Sequence, residues 1–229
     1  HGEIDILVSG AAGNFVAKDG PDQAPASSHP YANNVFLHHL DRLLVLGGAA
    51  YNNGGAFMTA IESGSSRRTG PYVWDPKRAD ANKVGGTTGS HVQRKAPLPD
   101  VLGGEMWQNR DLWRYQASSA ELPNRHVDGC AAYVDEGGRD VVYVVAFGGG
   151  GTSKQLYRYE ITDLAHPETD AWRRVGGSPN GPQGQTVCAI DPRRRVLVRL
   201  GGRSQPLMMW RLDAGRAPAS ESGIDLAES

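Results

Sequence analysis

Cysteine is nearly absent from this chain, with two among 229 residues. That is too few for a disulfide scaffold, although a single bridge stays open. Long apolar runs are missing too. The longest, such as 141–147, fall far short of the roughly 20 residues a spanning helix needs, so no transmembrane segment is expected. Neither sign of charge dominates: 24 Lys and Arg stand against 25 Asp and Glu, a formal net charge of −1. Hence there is no basic footprint for nucleic acid and no acidic tail. The opening His1-Gly2-Glu3 lacks the basic-then-apolar order of a secretion signal, so a signal was removed or never existed, and the compartment stays open. Metal-ligand spacing is lacking as well. His29, His91, His126 and His166 show no His-x-His or Cys-x-x-Cys arrangement, and no metal is expected from them.

What the chain has in quantity is glycine and proline, 30 and 14 residues, spread between short β-rich runs. This favours a turn-dense all-β protein. Five Trp, eight Tyr and the Val/Leu runs supply apolar surface that can offset ordering entropy, which argues against disorder. At 24.5 kDa the chain can bury the core of one domain, or of two small ones. Most of its basic residues are arginine, read here as composition bias.

Internal repetition comes next. Four segments share one order: a β run, Gly-Gly, a polar loop, then an aromatic strand. The first is 42–48 followed by 72–75. The clearest is 141–149, then 156–159, then 171–175. A third is 195–202 followed by 208–213. A weaker copy is 101–104 followed by Asp111-Leu112-Trp113-Arg114-Tyr115, and Pro97 and Pro99 interrupt the strand that should precede it. The Gly-Gly pairs start at 47, 103, 148 and 201, so the spacings are 56, 45 and 53. Residues 4–9 read as a fifth, degenerate copy. Unbroken apolar runs such as 43–46 predict strands covered on both faces. Asp41-Arg42, 136–139 and 191–193 supply turn chemistry between first and second strands. Glycine pairs let the backbone approach a neighbour where a Cβ would clash.

These features resemble the Kelch repeat, an apolar strand ending in Gly-Gly, then an aromatic strand, then a Trp in the outer strand. Trp172 matches that Trp, and Arg125-His126 matches the Arg-His that often precedes the next blade's first strand. The resemblance spans 29–213 and is clearest over 123–213. It implies a Kelch-type β-propeller with four to five blade equivalents. Kelch propellers usually have six or seven blades, so the chain is a fragment, an unusually small propeller, or half of a ring closed by a second copy. Residues 1–28 are assigned to a degenerate blade strand or N-terminal segment, and 214–229 to a polar tail. Secreted or periplasmic location is favoured by family analogy alone.

Cys130 lies 18 residues before Gly148 and Cys188 lies 13 before Gly201, so both occupy nearly the same place on the first strands of adjacent blades. Equivalent positions separated by a sheet-packing distance of roughly 10 Å exceed the reach of about 7 Å between bridged Cα atoms. Two buried free thiols are expected.

Candidate chemistry is sparse. His38 and His39 are adjacent, so on a strand they point to opposite faces, and a solvated turn is expected there. Asn33-Asn34 and the Tyr51-Asn52-Asn53 loop that follows Gly47-Gly48 offer a ring to stack and amides to bond hydroxyls, suiting a glycan or peptide. By resemblance to Kelch sialic-acid mutarotases, Arg125, Arg158 and Arg173 are candidates for the propeller mouth, where an Arg fork suits a sugar carboxylate. Galactose oxidase, another Kelch-propeller enzyme, uses copper held by tyrosines and histidines, but no stretch here maps its ligands. Arg193-Arg194-Arg195 is read as a solvated turn. Residues 4–15 look like a strand and motif of short-chain dehydrogenases. That family also needs a Gly-rich nucleotide turn and Tyr-x-x-x-Lys, and no tyrosine here has Lys four positions on.

The expectation is a non-catalytic binding scaffold that contacts a protein or carbohydrate through loops on one face, without a cofactor, and able to self-associate to close the ring. The alternative is a sugar-active Kelch enzyme, mutarotase-like or of the copper radical oxidase kind.

Overall fold

Short strands of Val, Leu and Tyr separated by tight turns can bury both of their faces only by stacking sheet on sheet. The structure, a computed structural model, is built that way. It describes residues 6–9, 14–18, 25, 29–48, 57–60, 66–78, 106–115, 122, 125–147, 154–177, 186–200, 207–212 and 224–225. They form four four-stranded sheets with very little helix. The second sheet runs β3 (Asn34–Leu37), β4 (Arg42–Val45), β7 (Tyr72–Trp74), β8 (Trp107–Asn109). The third runs β9 (Arg125–Asp135), β10 (Asp140–Phe147), β11 (Lys154–Glu160), β12 (Ala171–Gly177). The fourth runs β13 (Val187–Asp191), β14 (Val196–Leu200), β15 (Met208–Arg211), β16 (Ile224–Asp225). These three are antiparallel throughout. The first sheet is assembled from distant pieces: β1 (Ile6–Ser9) and β2 (Asn14–Lys18) join β5 (Phe57–Ala60) and β6 (Ser66–Thr69) through a parallel β2–β5 pairing.

Strand alternation sends the central strands of the second and third sheets into two cores. Val35, Leu37, Leu44 and Val73 of the second sheet pack with Ala131, Val142, Val144, Tyr157, Tyr159 and Trp172 of the third. The intervening residues of the third sheet, among them Val141, Tyr143 and Val145, pack with Leu197, Met208 and Trp210 of the fourth. Phe57 of the first sheet packs on Val45 and Tyr72 of the second. The sheets therefore stack serially, each face to face with the next. Trp172 sits on the outer strand of its sheet, stacked on Tyr157 with ring centroids 5.3 Å apart.

The first strands of three sheets also adjoin at their edges. Ala32, beside β3, forms a parallel bridge with Cys130 of β9, and the Ala131 amide donates to the Ala32 carbonyl at 2.7 Å. On its other side β9 meets β13 through a Cys130–Cys188 disulfide with Cα atoms 5.8 Å apart. This overturns the expectation of two free thiols. Sheet faces pack about 10 Å apart, but edge strands that converge approach the hydrogen-bonding spacing of about 4.8 Å, and Cα atoms 5.8 Å apart fall in the middle of the range a bridge accepts.

The weak fourth copy also differs from expectation. Residues 111–115 are not an aromatic strand: Asp111 takes a left-handed φ of 46° and Leu112–Tyr115 forms one helical turn, α1. The Asn109 side chain accepts the amides of Gly70 and Asp111, and the Asp111 carboxylate is drawn to Arg67 with N–O distances of 2.5 and 2.7 Å. Those bonds turn the chain out of the sheet and bury Leu112. The strand that closes the second sheet is β8, just before it, and the preceding 101–104 lies outside the described residues. Gly48 behaves as the repeat implied. A Cβ there would run into the His29 carbonyl, so the backbones touch where only glycine fits. Arg125-His126 opens β9 rather than preceding it. Among the described residues no helix is long and apolar enough to cross a membrane.

Candidate functional site

Hairpin geometry gives the stacked sheets two unlike ends. At one end sit three tight turns between first and second strands, at 38–41, 136–139 and 192–195. They need the conformations their residues allow: Asp41 has φ 54°, Gly137 and Gly138 have 67° and 81°, and Arg195 has 54°. The other end receives the longer connections, including those after Gly48, Phe147, Gly177 and Leu200.

The turn end is laced together by charge. Asp140 accepts the amides of His39 and Leu40 at 3.0 and 2.8 Å, and His39 Nε2 lies 2.9 Å from Asp135 Oδ2. This joins the second sheet to the third, and His38 and His39 are exposed turn residues as expected. The third joins the fourth through Glu136. Its nearly buried carboxylate receives Arg158 Nη2 at 2.7 Å, Arg195 Nη2 at 2.5 Å and the Tyr143 hydroxyl at 3.0 Å. Burial works to raise the Glu136 pKa, but hydrogen bonds from Arg195 and Arg158 outweigh it and the net shift is downward. Glu160 completes the cluster by pairing with Arg158 at 2.8 Å and Arg139 at 3.0 Å. A carboxylate committed to so many donors is a poor general base, and the arrangement reads as a clamp between sheets.

Further out, Arg110 places all five of its N–H groups. Nε and Nη2 bond Asp170 at 2.9 and 2.7 Å, and the remaining donors reach Gln108 Oε1 and the carbonyls of Leu164 and Asp163. The Tyr159 hydroxyl adds 2.6 Å to Asp170. Burial pulls the Arg110 pKa down, the Asp170 hydrogen bond and nearby charges pull it up, and the net is upward.

The structure places the residues singled out by sequence in different surroundings. Asn33 and Asn34 lie at the loop end, where Asn34 pairs in register with Val45. Asn33 is fully buried, with its amide on the Pro30 carbonyl and its own carbonyl accepting Leu46 N at 2.9 Å. Asn34 is exposed. Tyr51, Asn52 and Asn53 lie outside the described residues. Arg125 is at the loop end by its backbone pairing with Phe147. Arg158 and Arg173 pair with each other across β11 and β12. Arg158 reaches toward the turn end into the Glu136 cluster and keeps 8% exposure, while Arg173 is exposed on the outer strand. The three arginines are therefore not gathered at one mouth. In the turn 192–195, Arg193 and Arg194 are exposed and Arg195 belongs to the Glu136 cluster.

Sequence reasoning missed Arg199. It sits near the loop end of β14 with 1% exposure, and Nε, Nη1 and Nη2 have no hydrogen-bond partner. Burial alone pushes its pKa down to about 10. The signal was legible in principle, because Leu197 and Arg199 stand two apart on one strand and so share a face, and that face is buried.

One surface stands out as well. The outward face of the fourth sheet aligns Val187 with Leu200, Ala189 with Val198, and Val198 with Met209. Val187 and Leu200 are 57% and 54% exposed. No protein-family model, curated protein or solved structure matches this chain significantly.

Proposed function

We propose that the chain is an arc of Kelch-type β-propeller blades that serves as a binding scaffold, taking a protein or carbohydrate ligand at its loop end. The observation that carries this reading is the serial face-to-face stacking of four-stranded sheets, with the first strands of three of them adjoining. Radial repetition of such sheets is the propeller principle. The turn end spends its charged groups on clamping sheets together. The loop end carries the exposed Asn34 and the start of β9 at Arg125, and longer connections there are the usual place for recognition.

The same reading assigns the bare Val187–Leu200 face to a second copy of the chain. What covers the equivalent faces inside the molecule is another sheet of the same Val and Leu character, and an arc of blades presents such a face until the ring closes. A disulfide between first strands supports an oxidising compartment, secreted or periplasmic.

The test is a panel of immobilised neutral and acidic glycans and a cross-linking search for protein partners, run with purified chain. Saturable binding lost on substituting Asn34→Ala supports the scaffold. Turnover of a sugar, or copper-dependent oxidation, replaces it with the sugar-active enzyme reading.

A further inference from the structure

Among the described residues, Arg199 is a buried cation without a hydrogen-bond partner. Every other buried cation among the described residues has anions or carbonyls around it. Arg110 places all five donors, and Arg158 pairs with Glu136 and Glu160. Arg199 is as buried as Arg110, yet its three nitrogens bond nothing. Its surroundings offer no compensation. In register it lies opposite Cys188 on β13 and Met208 on β15, with Leu197 two residues before it on the same face. Cys188 is half of the disulfide to Cys130, and Leu197, Met208 and Trp210 belong to the apolar cluster beneath. A guanidinium stays protonated at neutral pH even when burial lowers its pKa to about 10. An isolated buried cation is costly, and such charges in proteins are paired.

We propose that Arg199 is the anchor of an anion site under the loop end, and that its ligand is a monocarboxylate. Position supports this, because Arg199 is the penultimate residue of β14 and its strand leads into the connection after Leu200. Chemistry sets the class. The planar fork of a guanidinium matches a carboxylate through two parallel bonds. One unpaired cation is neutralised by one negative charge, whereas a phosphate dianion would leave an excess negative charge in the same apolar surroundings. Met208, Leu197 and the disulfide around Arg199 are apolar and disfavour a second charge on the acid. The inference stands on Arg199 and does not require the scaffold reading to hold.

The test is thermal unfolding of the full chain at constant ionic strength, titrated with sodium acetate, sodium benzoate and sodium D-glucuronate, with sodium chloride and inorganic phosphate as separate arms. At a hundredfold excess over Kd, a carboxylate should raise the Tm of the wild type saturably by about 5 °C or more. Arg199→Met removes the charge without opening a cavity. It should fold with a Tm above that of the unliganded wild type and show no carboxylate response. Arg199→Lys should keep a weakened response. No saturable rise with any carboxylate, an equal rise in wild type and Arg199→Met, or a response to chloride or phosphate alone would each overturn the proposal.

Discussion

Arg110 and Asp170 face each other with neither side chain exposed, joined by two hydrogen bonds of 2.9 and 2.7 Å. They come from different sheets: Arg110 follows β8 of the second and Asp170 immediately precedes β12 of the third. Breaking one partner of a buried pair leaves a charge without compensation, at a cost of about 3–5 kcal/mol. Asp170→Asn should therefore lower unfolding stability by that amount in chemical denaturation. A double change of Arg110 and Asp170 to Met and Leu should cost less than Asp170→Asn alone. If Asp170→Asn proved nearly neutral, the pair would not be joining the sheets.

Glu136 makes the third and fourth sheets pH-dependent in a definite direction. Its folded pKa is below the ordinary 4.5. A lowered carboxylate contributes stability that is present above the unfolded value and lost as pH falls through the folded one. Glu136→Gln should cost about 1–3 kcal/mol at pH 7, and its stability curve should converge with that of the wild type below pH 4.5. Urea midpoints measured from pH 7 to pH 3 would show this. Parallel curves would rule out the clamp.

The Cys130–Cys188 bridge closes a separation of 58 residues. Loop-closure entropy for that length is about 4 kcal/mol, and measured losses for native bridges run about 2–5 kcal/mol. A Cys130→Ala, Cys188→Ala double variant, or the wild type under dithiothreitol, should lose stability within that range. Mass spectrometry after alkylation without reduction should find no free thiol.

The exposed pair Val187 and Leu200 supports a prediction about assembly. Sedimentation should give a concentration-dependent dimer, and Leu200→Lys, on a side chain 54% exposed in the single chain, should give a monomer of unchanged Tm. A wild type that stays monomeric at every concentration would remove the second copy as the partner for that face.

How much of this was legible beforehand depended on whether the information was local. Residues 141–147 announced a strand as an unbroken apolar run ending at Gly148-Gly149, and 156–159 and 171–175 announced two more through their Tyr and Trp residues; the structure has β10, β11 and β12 there. The turns 136–139 and 192–195 were equally local. β8 was missed because Trp107-Gln108-Asn109 is short and polar, while Asp111–Tyr115 carries the aromatic spacing that a strand would. What defeats that spacing is a set of tertiary bonds, Asn109 to Gly70 and Asp111 to Arg67, which no window of sequence contains. The first sheet depends on β2 pairing with β5 some forty residues away. The disulfide was misjudged because a face-to-face spacing was applied to edges that converge. At the candidate site, Asn33 is buried, Arg158 is drawn into a clamp, and Arg199 passed unnoticed inside a strand.

The bridge between the first strands has one more consequence. Everything from residue 131 to 187, the bulk of the third sheet included, lies within a covalently closed circuit. A protease that cuts one peptide bond in the connections after Phe147 or Gly177 leaves the two pieces tethered. They migrate as one species until a reductant is added. Nicked and intact molecules would circulate together, and only thiol exchange would separate them.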